Sequence, residues 1–123
     1  MHKQIHVLAV VAQTGNMEVL SRFLEKMNLT VLKAKSLKDI DGYLDGRLSV
    51  SLAIIDIMGF RNTIWDYCKI LREKGIPMLI ISPRKSNETA ETGYAYGAKR
   101  VFEKPVMMQE LATLVKLFIG HER

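Results

Sequence analysis

Short apolar runs that each end in a polar side chain are the feature that most constrains how this chain can fold. Residues 52–57 form such a run, rich in β-branched side chains, with Asp56 near its end. Two later runs end in Ser82 and Lys104. In an open parallel sheet, binding and reaction sites lie just beyond the carboxyl ends of the central strands. The sequence therefore predicts that these three polar side chains meet at one edge of a sheet.

Segments with helical periodicity separate the apolar runs, so the chain is predicted to repeat a β-α unit five times. The predicted strands cover residues 5–12, 30–35, 52–57, 78–82 and 100–104. The predicted helices lie between Asn16 and Asn28, between Ser36 and Gly46, and over residues 64–74, 87–96 and 109–120. Crossovers of this length favour right-handed parallel connections. We therefore expect an α/β three-layer sandwich with a five-stranded parallel sheet, whose hydrophobic pattern favours the strand order 2-1-3-4-5.

Local signals mark the ends of the first two helices. Asn16 is the predicted N-cap of the first helix, because an Asn side chain can accept a hydrogen bond from the exposed amides of a first turn. Val19 belongs to the predicted apolar face of that helix. Ser36 is the predicted N-cap of the second helix, with Asp39 at the capping-box position, and Gly46 is expected to end it.

The composition fits one globular domain that spans residues 1–123. The chain is 48% hydrophobic and 25% charged, with a net charge of +5. Basic residues are not clustered with aromatic ones, so direct nucleic-acid binding is not favoured. No apolar run approaches the ~20 residues that cross a bilayer, so a membrane protein is not expected. Because the chain has one cysteine, Cys68, and no leader-peptide pattern, we expect a cytoplasmic protein without an internal disulfide.

Four short motifs in a fixed order resemble the receiver domain of bacterial two-component response regulators. These motifs are residues 52–56, residues 76–82, Gly97-Ala98 and Lys104-Pro105. The spacing between Ser82 and Lys104 also matches that family, and the similarity extends over nearly the whole chain. The resemblance implies the flavodoxin-like fold of these domains, which agrees with the parallel sheet predicted above.

The resemblance implies a phosphorylation switch. Asp56 would accept a phosphoryl group from the phosphohistidine of a sensor histidine kinase. Ser82 would bond a phosphoryl oxygen, Lys104 would balance its charge, and the peptide bond before Pro105 would be cis. The face formed by helix 4, strand 5 and helix 5 would then change shape and meet another signalling protein or a second copy of the domain. Such a domain signals by contact and is not itself an enzyme.

The sequence departs from the family at the positions where that family binds Mg²⁺. Two acidic residues normally follow the first strand, and this chain has Val11 and Ala12 in their place. Mg²⁺ is usually held by one or two carboxylates together with waters and substrate oxygens. With Asp56 alone, we expect Mg²⁺ binding to be weak or absent, and we expect no other cofactor. Val101 also replaces an aromatic residue that commonly reports phosphorylation in the family.

A site with one carboxylate and one lysine can be stable by itself. Asp56 and Lys104 carry opposite charges, so a direct ion pair can hold the site in one conformation without a metal. Two interpretations follow. The first is an atypical receiver with weak or absent Mg²⁺-dependent phosphorylation at Asp56. The second is a constitutive pseudo-receiver that acts through a fixed surface. The residues of that surface are Tyr94, Tyr96, Lys99 and Arg100.

A third interpretation belongs to another class, a flavodoxin-like module that binds FMN or phosphate. Residues 12–18 resemble a flavodoxin phosphate loop. Hydroxyl groups and backbone amides before a helix N-terminus can form an anion site. Met17 occupies the place of a further hydroxyl, and the chain is short for this class. Yellow colour on purification would identify such a module.

Overall fold

A five-stranded parallel sheet forms the centre of the protein. The computed structural model describes residues 4–83 and 87–120. The strands are β1 (His6–Val10), β2 (Thr30–Ala34), β3 (Val50–Asp56), β4 (Met78–Ser82) and β5 (Arg100–Glu103). They pair in parallel in the order β2-β1-β3-β4-β5. The predicted fold class and strand order are confirmed.

Helices cover both faces of the sheet. They are α1 (Thr14–Lys26), α2 (Leu37–Tyr43), α3 (Ile64–Glu73), α4 (Asn87–Ala95) and α5 (Met108–Ile119). Side chains of α1 and α5 pack on one face of the sheet, and side chains of α2, α3 and α4 pack on the other. The boundaries predicted for the strands and for α3, α4 and α5 agree with the structure to within two residues. In the described residues, no helix combines the length and the apolar character that crossing a bilayer requires.

The pattern of burial explains why β3 and β4 occupy the centre of the sheet. Residues 52–56 and every residue of β4 are buried, as expected for strands covered by helices on both faces. The two edge strands instead expose charged side chains, such as Lys33 on β2 and Arg100 on β5. Charges on edge strands oppose pairing with a second sheet. The central position of β3 and β4 places their carboxyl ends, and therefore Asp56 and Ser82, in the middle of one edge.

The first turn of α1 differs from the prediction. The helix begins at Thr14, and its cap position is held by Gln13, whose side chain makes no capping bond. The prediction of Asn16 as N-cap is wrong, because the Met17 amide already donates to the Gln13 carbonyl oxygen at 3.0 Å. The predicted burial of Val19 is also wrong, since this side chain is 64% exposed. The buried face of α1 contains Met17, Leu20, Ser21 and Leu24.

The start of α2 agrees with the prediction, and its end does not. The Ser36 hydroxyl accepts a hydrogen bond of 3.2 Å from the Asp39 amide, which confirms Ser36 as the N-cap. The Asp39 carboxylate accepts from the Lys35 amide at 2.9 Å, whereas a capping box would use the amide of the cap residue. The helix ends at Tyr43, so Gly46, with φ 95°, lies in the following loop and does not end it.

Candidate functional site

Asp56 and Lys104 form an ion pair at the carboxyl end of the sheet. Asp56 is the last residue of β3 and is only 3% exposed. Its Oδ2 atom lies 2.8 Å from Nζ of Lys104, whose side chain is 27% exposed. Its Oδ1 atom accepts a hydrogen bond of 3.0 Å from the backbone amide of Met58. Both oxygens of this buried carboxylate therefore have a donor, and the ammonium group balances its charge.

Ser82 and Pro105 lie at the same edge as the ion pair. In the pairing of β3 with β4, Asp56 is opposite Ile81, and the buried Ser82 follows as the last residue of β4. The Ser82 carbonyl oxygen accepts a hydrogen bond of 3.2 Å from the Lys104 amide. The Lys104–Pro105 peptide bond is cis. The topology thus brings the three polar residues at the strand ends to one edge of the sheet.

Val11 and Ala12 lie where the resemblance implies metal-binding carboxylates. Val11 is buried and lines the same cleft as Asp56. A Cβ atom at Gly59 would lie 3.0 Å from Cβ of Ala12, so the loop after β3 packs closely on Ala12. In the part of the chain that the structure describes, no group of three or more His, Cys, Asp or Glu side chains could hold a metal. Asp56 is the one carboxylate among the described residues that line the cleft, and the Lys104 ammonium group already pairs with it, so this donor set fits Mg²⁺ poorly.

An apolar cleft opens next to the ion pair, between α1 and α5. Its volume is about 530 Å³. The apolar side chains of its walls are Val11, Val19, Leu20, Ile81, Pro105, Val106, Met108 and Leu111. The sequence analysis missed this cleft, because an apolar residue at helical spacing is normally a core residue. Met108, an exposed methionine at the start of α5 that lines the cleft, was the signal that could have indicated it.

Of the residues predicted for an interaction surface, Tyr94 lies on α4, Tyr96 and Lys99 lie between α4 and β5, and Arg100 is the first residue of β5. These side chains differ in exposure. The exposed side chains of this set are Tyr94, Lys99 and Arg100. The Tyr94 hydroxyl also accepts a hydrogen bond of 3.2 Å from the Val101 amide. The Tyr96 ring stacks on Trp65, with ring centroids 5.6 Å apart. Tyr96 is therefore partly covered by α3, and less of its ring can meet a partner.

The segment compared with a flavodoxin phosphate loop leads directly into α1. Thr14 is the first residue of that helix, and its hydroxyl accepts a hydrogen bond from the Lys35 ammonium group. This hydroxyl is therefore engaged within the protein. The geometry adds no support to the FMN interpretation.

Comparisons with known sequences indicate response regulators. No family model matches the chain. The Heme response regulator HssR of Staphylococcus saprophyticus is 27% identical over 101 residues, which cover 81% of this chain and 45% of that protein. The Uncharacterized transcriptional regulatory protein YcbL of Bacillus subtilis is 38% identical over 72 residues, which cover 58% of this chain and 32% of that protein. The chain thus matches less than half of the length of these curated relatives.

Comparison with solved structures gives the same fold. The crystal structure of a two-component response regulator from Clostridium difficile has a TM-score of 0.86 and 18% sequence identity. The match covers 98% of this chain and 99% of that one. The strand order and the helical layers are therefore those of this fold. This chain has the receiver fold, and it is similar in structure and in sequence to the response regulators of two-component signalling.

Proposed function

We propose that this domain is an atypical receiver of a two-component or phosphorelay system. In this proposal, Mg²⁺-dependent phosphorylation of Asp56 is weak or absent, and contacts with other proteins carry the signal. The observation that carries the proposal is the 2.8 Å ion pair between Asp56 and Lys104, in a cleft that the buried Val11 also lines. The domain would act in the cytoplasm without being an enzyme and without binding nucleic acid or membrane directly.

The ion pair opposes phosphoryl transfer to Asp56. The carboxylate attacks a phosphorus atom through an oxygen lone pair, and Lys104 and the Met58 amide each bond to one oxygen and lower its electron density and its freedom to move. Phosphoryl transfer also depends on neutralising the charge of the transferred oxygens. In the family a metal ion supplies several kcal/mol of this stabilisation, and the residues here do not fit one. Each 1.4 kcal/mol that is lost slows the reaction about tenfold, so we expect a slow or silent acceptor.

Lys104 and Ser82 would hold the phosphoryl group in a phosphorylated state. In the proposal, Lys104 would leave the Asp56 carboxylate and balance the phosphoryl charge, and Ser82 would bond a phosphoryl oxygen. Both residues lie at the polar edge, and Ser82 is 1% exposed, so this contact would form inside the protein. The resting ion pair and the phosphorylated contact would be alternatives, because phosphorylation would remove the carboxylate charge that Lys104 balances at rest.

The proposed partner is a sensor histidine kinase or another signalling protein. The proposed contact surface is the face of α4, β5 and α5, which a second copy of the domain would also use. Tyr94, Lys99 and Arg100 are exposed on or next to these elements and give the surface aromatic and positive character. Aromatic residues and arginine are enriched where proteins meet, which supports this assignment.

Chemical phosphorylation tests the proposal directly. The protein is incubated with acetyl phosphate and Mg²⁺, and intact-mass spectrometry detects the phosphoryl group. We expect little or no modification of the wild type, and none of Asp56→Asn. Rapid, stoichiometric modification of the wild type that is lost in Asp56→Asn would contradict the proposal and indicate an ordinary receiver.

A constitutive pseudo-receiver is the second candidate, and the engagement of both Asp56 oxygens favours it. In that case the surface alone carries the function. Partner capture by the native full-length protein separates the two candidates, with Asp56→Asn compared with the surface variant Arg100→Glu. Loss of a partner in both variants supports the atypical receiver, and loss only in Arg100→Glu supports the fixed module.

A further inference from the structure

The apolar walls of the cleft between α1 and α5 have no role in the proposed phosphorylation chemistry. The volume of the cleft, about 530 Å³, falls in the range of roughly 300–1,000 Å³ that is typical of pockets for small molecules. Such pockets have mostly apolar walls and a few polar groups that orient the ligand. Here Val19 and Leu20 of α1 face Met108 and Leu111 of α5 across the opening. The cleft therefore has the size and the lining of a ligand site.

The two walls keep apolar side chains in contact with water. Val19 is 64% exposed, and Met108 is 37% exposed. Both belong to the cleft, and both would lose contact with water if an apolar group lay between them. Removing apolar surface from water is favourable in proportion to the area that is covered. The apolar part of a ligand would therefore be stabilised by contact with both helices.

Three polar side chains line the described part of the cleft, Asn16, Asp56 and Lys104, and they decide the chemistry of the ligand's head. The Asp56 oxygens already accept from Lys104 and from the Met58 amide. The ammonium group of Lys104 has three donors, of which one bond to Asp56 uses one, and the side chain is 27% exposed. Among the described lining residues, Lys104 is the one cation. The floor of the cleft thus offers donors, and a carboxylate is a strong acceptor for an ammonium group.

We infer that the cleft binds a small amphipathic carboxylate. Its hydrocarbon body would lie between Val19 and Met108, and its carboxylate would bond to Lys104. The inference goes beyond the proposed function and does not depend on it, because binding requires neither a phosphoryl donor nor Mg²⁺. A bound ligand would cover Asp56. Because the ligand would bond to the lysine that pairs with Asp56, its binding would change the surroundings of the ion pair.

Titration with decanoate tests the inference. The wild-type protein, labelled with ¹⁵N, is titrated without Mg²⁺ or phosphoryl donor, and amide shifts are followed by NMR. For a ligand of this size we expect a Kd on the order of 1 mM or tighter. The shifts should concentrate on α1, on α5 and around Lys104. Decan-1-ol keeps the hydrocarbon body without the carboxylate and should bind at least about fivefold more weakly.

A matched pair of variants distinguishes decanoate binding in the cleft from nonspecific binding to apolar surface. Val19→Glu places a charge in the wall of the cleft, and Leu117→Glu places the same charge on α5 at an apolar side chain that is 53% exposed and does not line the cleft. Both positions are exposed, so both variants should fold. We expect Val19→Glu to weaken decanoate binding at least about tenfold and Leu117→Glu to change it less than about twofold.

Three results would overturn the inference. The first is the absence of saturable shifts with decanoate up to about 5 mM, a concentration at which a typical site of this size should be largely filled. The second is an equal loss of affinity in Val19→Glu and Leu117→Glu. The third is equal binding of decanoate and decan-1-ol, which would leave no role for Lys104. Because acetyl phosphate is not present, none of these results bears on the proposed phosphorylation behaviour.

Discussion

Asp56 is a buried carboxylate whose two oxygens each accept a bond from a donor within the protein. Lys104 engages one oxygen and the Met58 amide engages the other. A buried ion pair adds little net stability compared with an apolar replacement of the same shape, but removing one partner leaves an uncompensated charge. The pair therefore matters less for the total stability of the fold than for the single conformation that it imposes on the site.

Replacing Lys104 by methionine should destabilise the protein by about 2–4 kcal/mol, because Asp56 would remain as a buried charge. Water reaches the lysine, whose side chain is 27% exposed, so the loss should fall in the lower part of the range for a buried pair. The double variant Asp56→Asn/Lys104→Met should recover most of the loss. Urea unfolding measures the free energy of unfolding of the wild type, the single variant and the double variant.

Lys33→Met is the control for this series, because Lys33 is exposed on the edge strand β2. Exposed substitutions usually change the free energy of unfolding by no more than about 0.5 kcal/mol. If Lys104→Met were no more destabilising than Lys33→Met, the buried ion pair would make no energetic contribution to the native state.

Cys68 gives a prediction about pH. Burial raises the pKa of its thiol to about 12, from an ordinary value of 9.0, because apolar surroundings disfavour the thiolate. As the pH rises from 9 toward 12, the unfolded chain loses a proton that the native state keeps. The Cys68 thiol therefore leaves the free energy of unfolding unchanged below pH 9 and lowers it above pH 9. Iodoacetamide at pH 8 should modify native Cys68 at least about tenfold more slowly than the urea-unfolded chain. Equal rates would show that the thiol is accessible.

At the scale of the elements, a glycine sets the distance between α4 and the sheet. A Cβ atom at Gly93 would lie 2.7 Å from Cγ2 of Val101 and 3.5 Å from Cδ1 of Ile80. Val101 is buried and β-branched, so its side chain cannot rotate away at low cost. The bond between the Tyr94 hydroxyl and the Val101 amide joins the same two elements. The helix of the proposed interaction surface is thus packed closely on β5.

Gly93→Ala should destabilise the protein by up to about 2 kcal/mol. Overpacking against Val101 costs about 1–3 kcal/mol, and the gain of up to about 1 kcal/mol that alanine brings to a helix offsets part of this cost. Gly42→Ala in α2 is the matched control, because a Cβ atom there would have nothing within 4 Å. That variant should be stabilised by up to about 1 kcal/mol. Thermal unfolding compares the two, and equal stabilisation of both would show that α4 does not pack closely at Gly93.

The elements were predictable to different degrees. Buried β-branched runs identified the strands, because such runs pack well between two helical layers. The start of α1 was not predictable, because Asn16 has the chemistry of an N-cap, whereas the path of the chain after β1 puts Gln13 in that position. Val19 shows the same limit: helical spacing identifies an apolar face, but the rotation of the helix on the sheet depends on tertiary packing.

At the scale of the whole molecule, topology explains the site. A repeated β-α unit with parallel strands brings all carboxyl ends to one edge, so the approach of Asp56, Ser82 and Lys104 followed from their positions at strand ends. The bond from the Met58 amide had no sequence signal, because every residue except proline supplies such a donor. The contact of Ala12 with Gly59 and the cleft between α1 and α5 depend on distances between elements that are far apart in sequence.

At the same scale, the polar edge is proposed to be complete without a divalent cation. Val11→Asp/Ala12→Asp provides the comparison, because it adds carboxylates at the two positions that the resemblance assigns to metal binding. A ligand that binds only the native state stabilises it by mass action, by about 2.7 kcal/mol at 100 times its Kd. In a domain of this size, that gain corresponds to a rise of roughly 10 °C in the unfolding temperature.

The most direct measurement is therefore the unfolding temperature of the wild type and of Val11→Asp/Ala12→Asp as Mg²⁺ is raised to about 10 mM, at constant ionic strength. The account predicts an unchanged temperature for the wild type and a rise for the double variant. A saturable rise of the wild-type temperature with millimolar Mg²⁺ would contradict it.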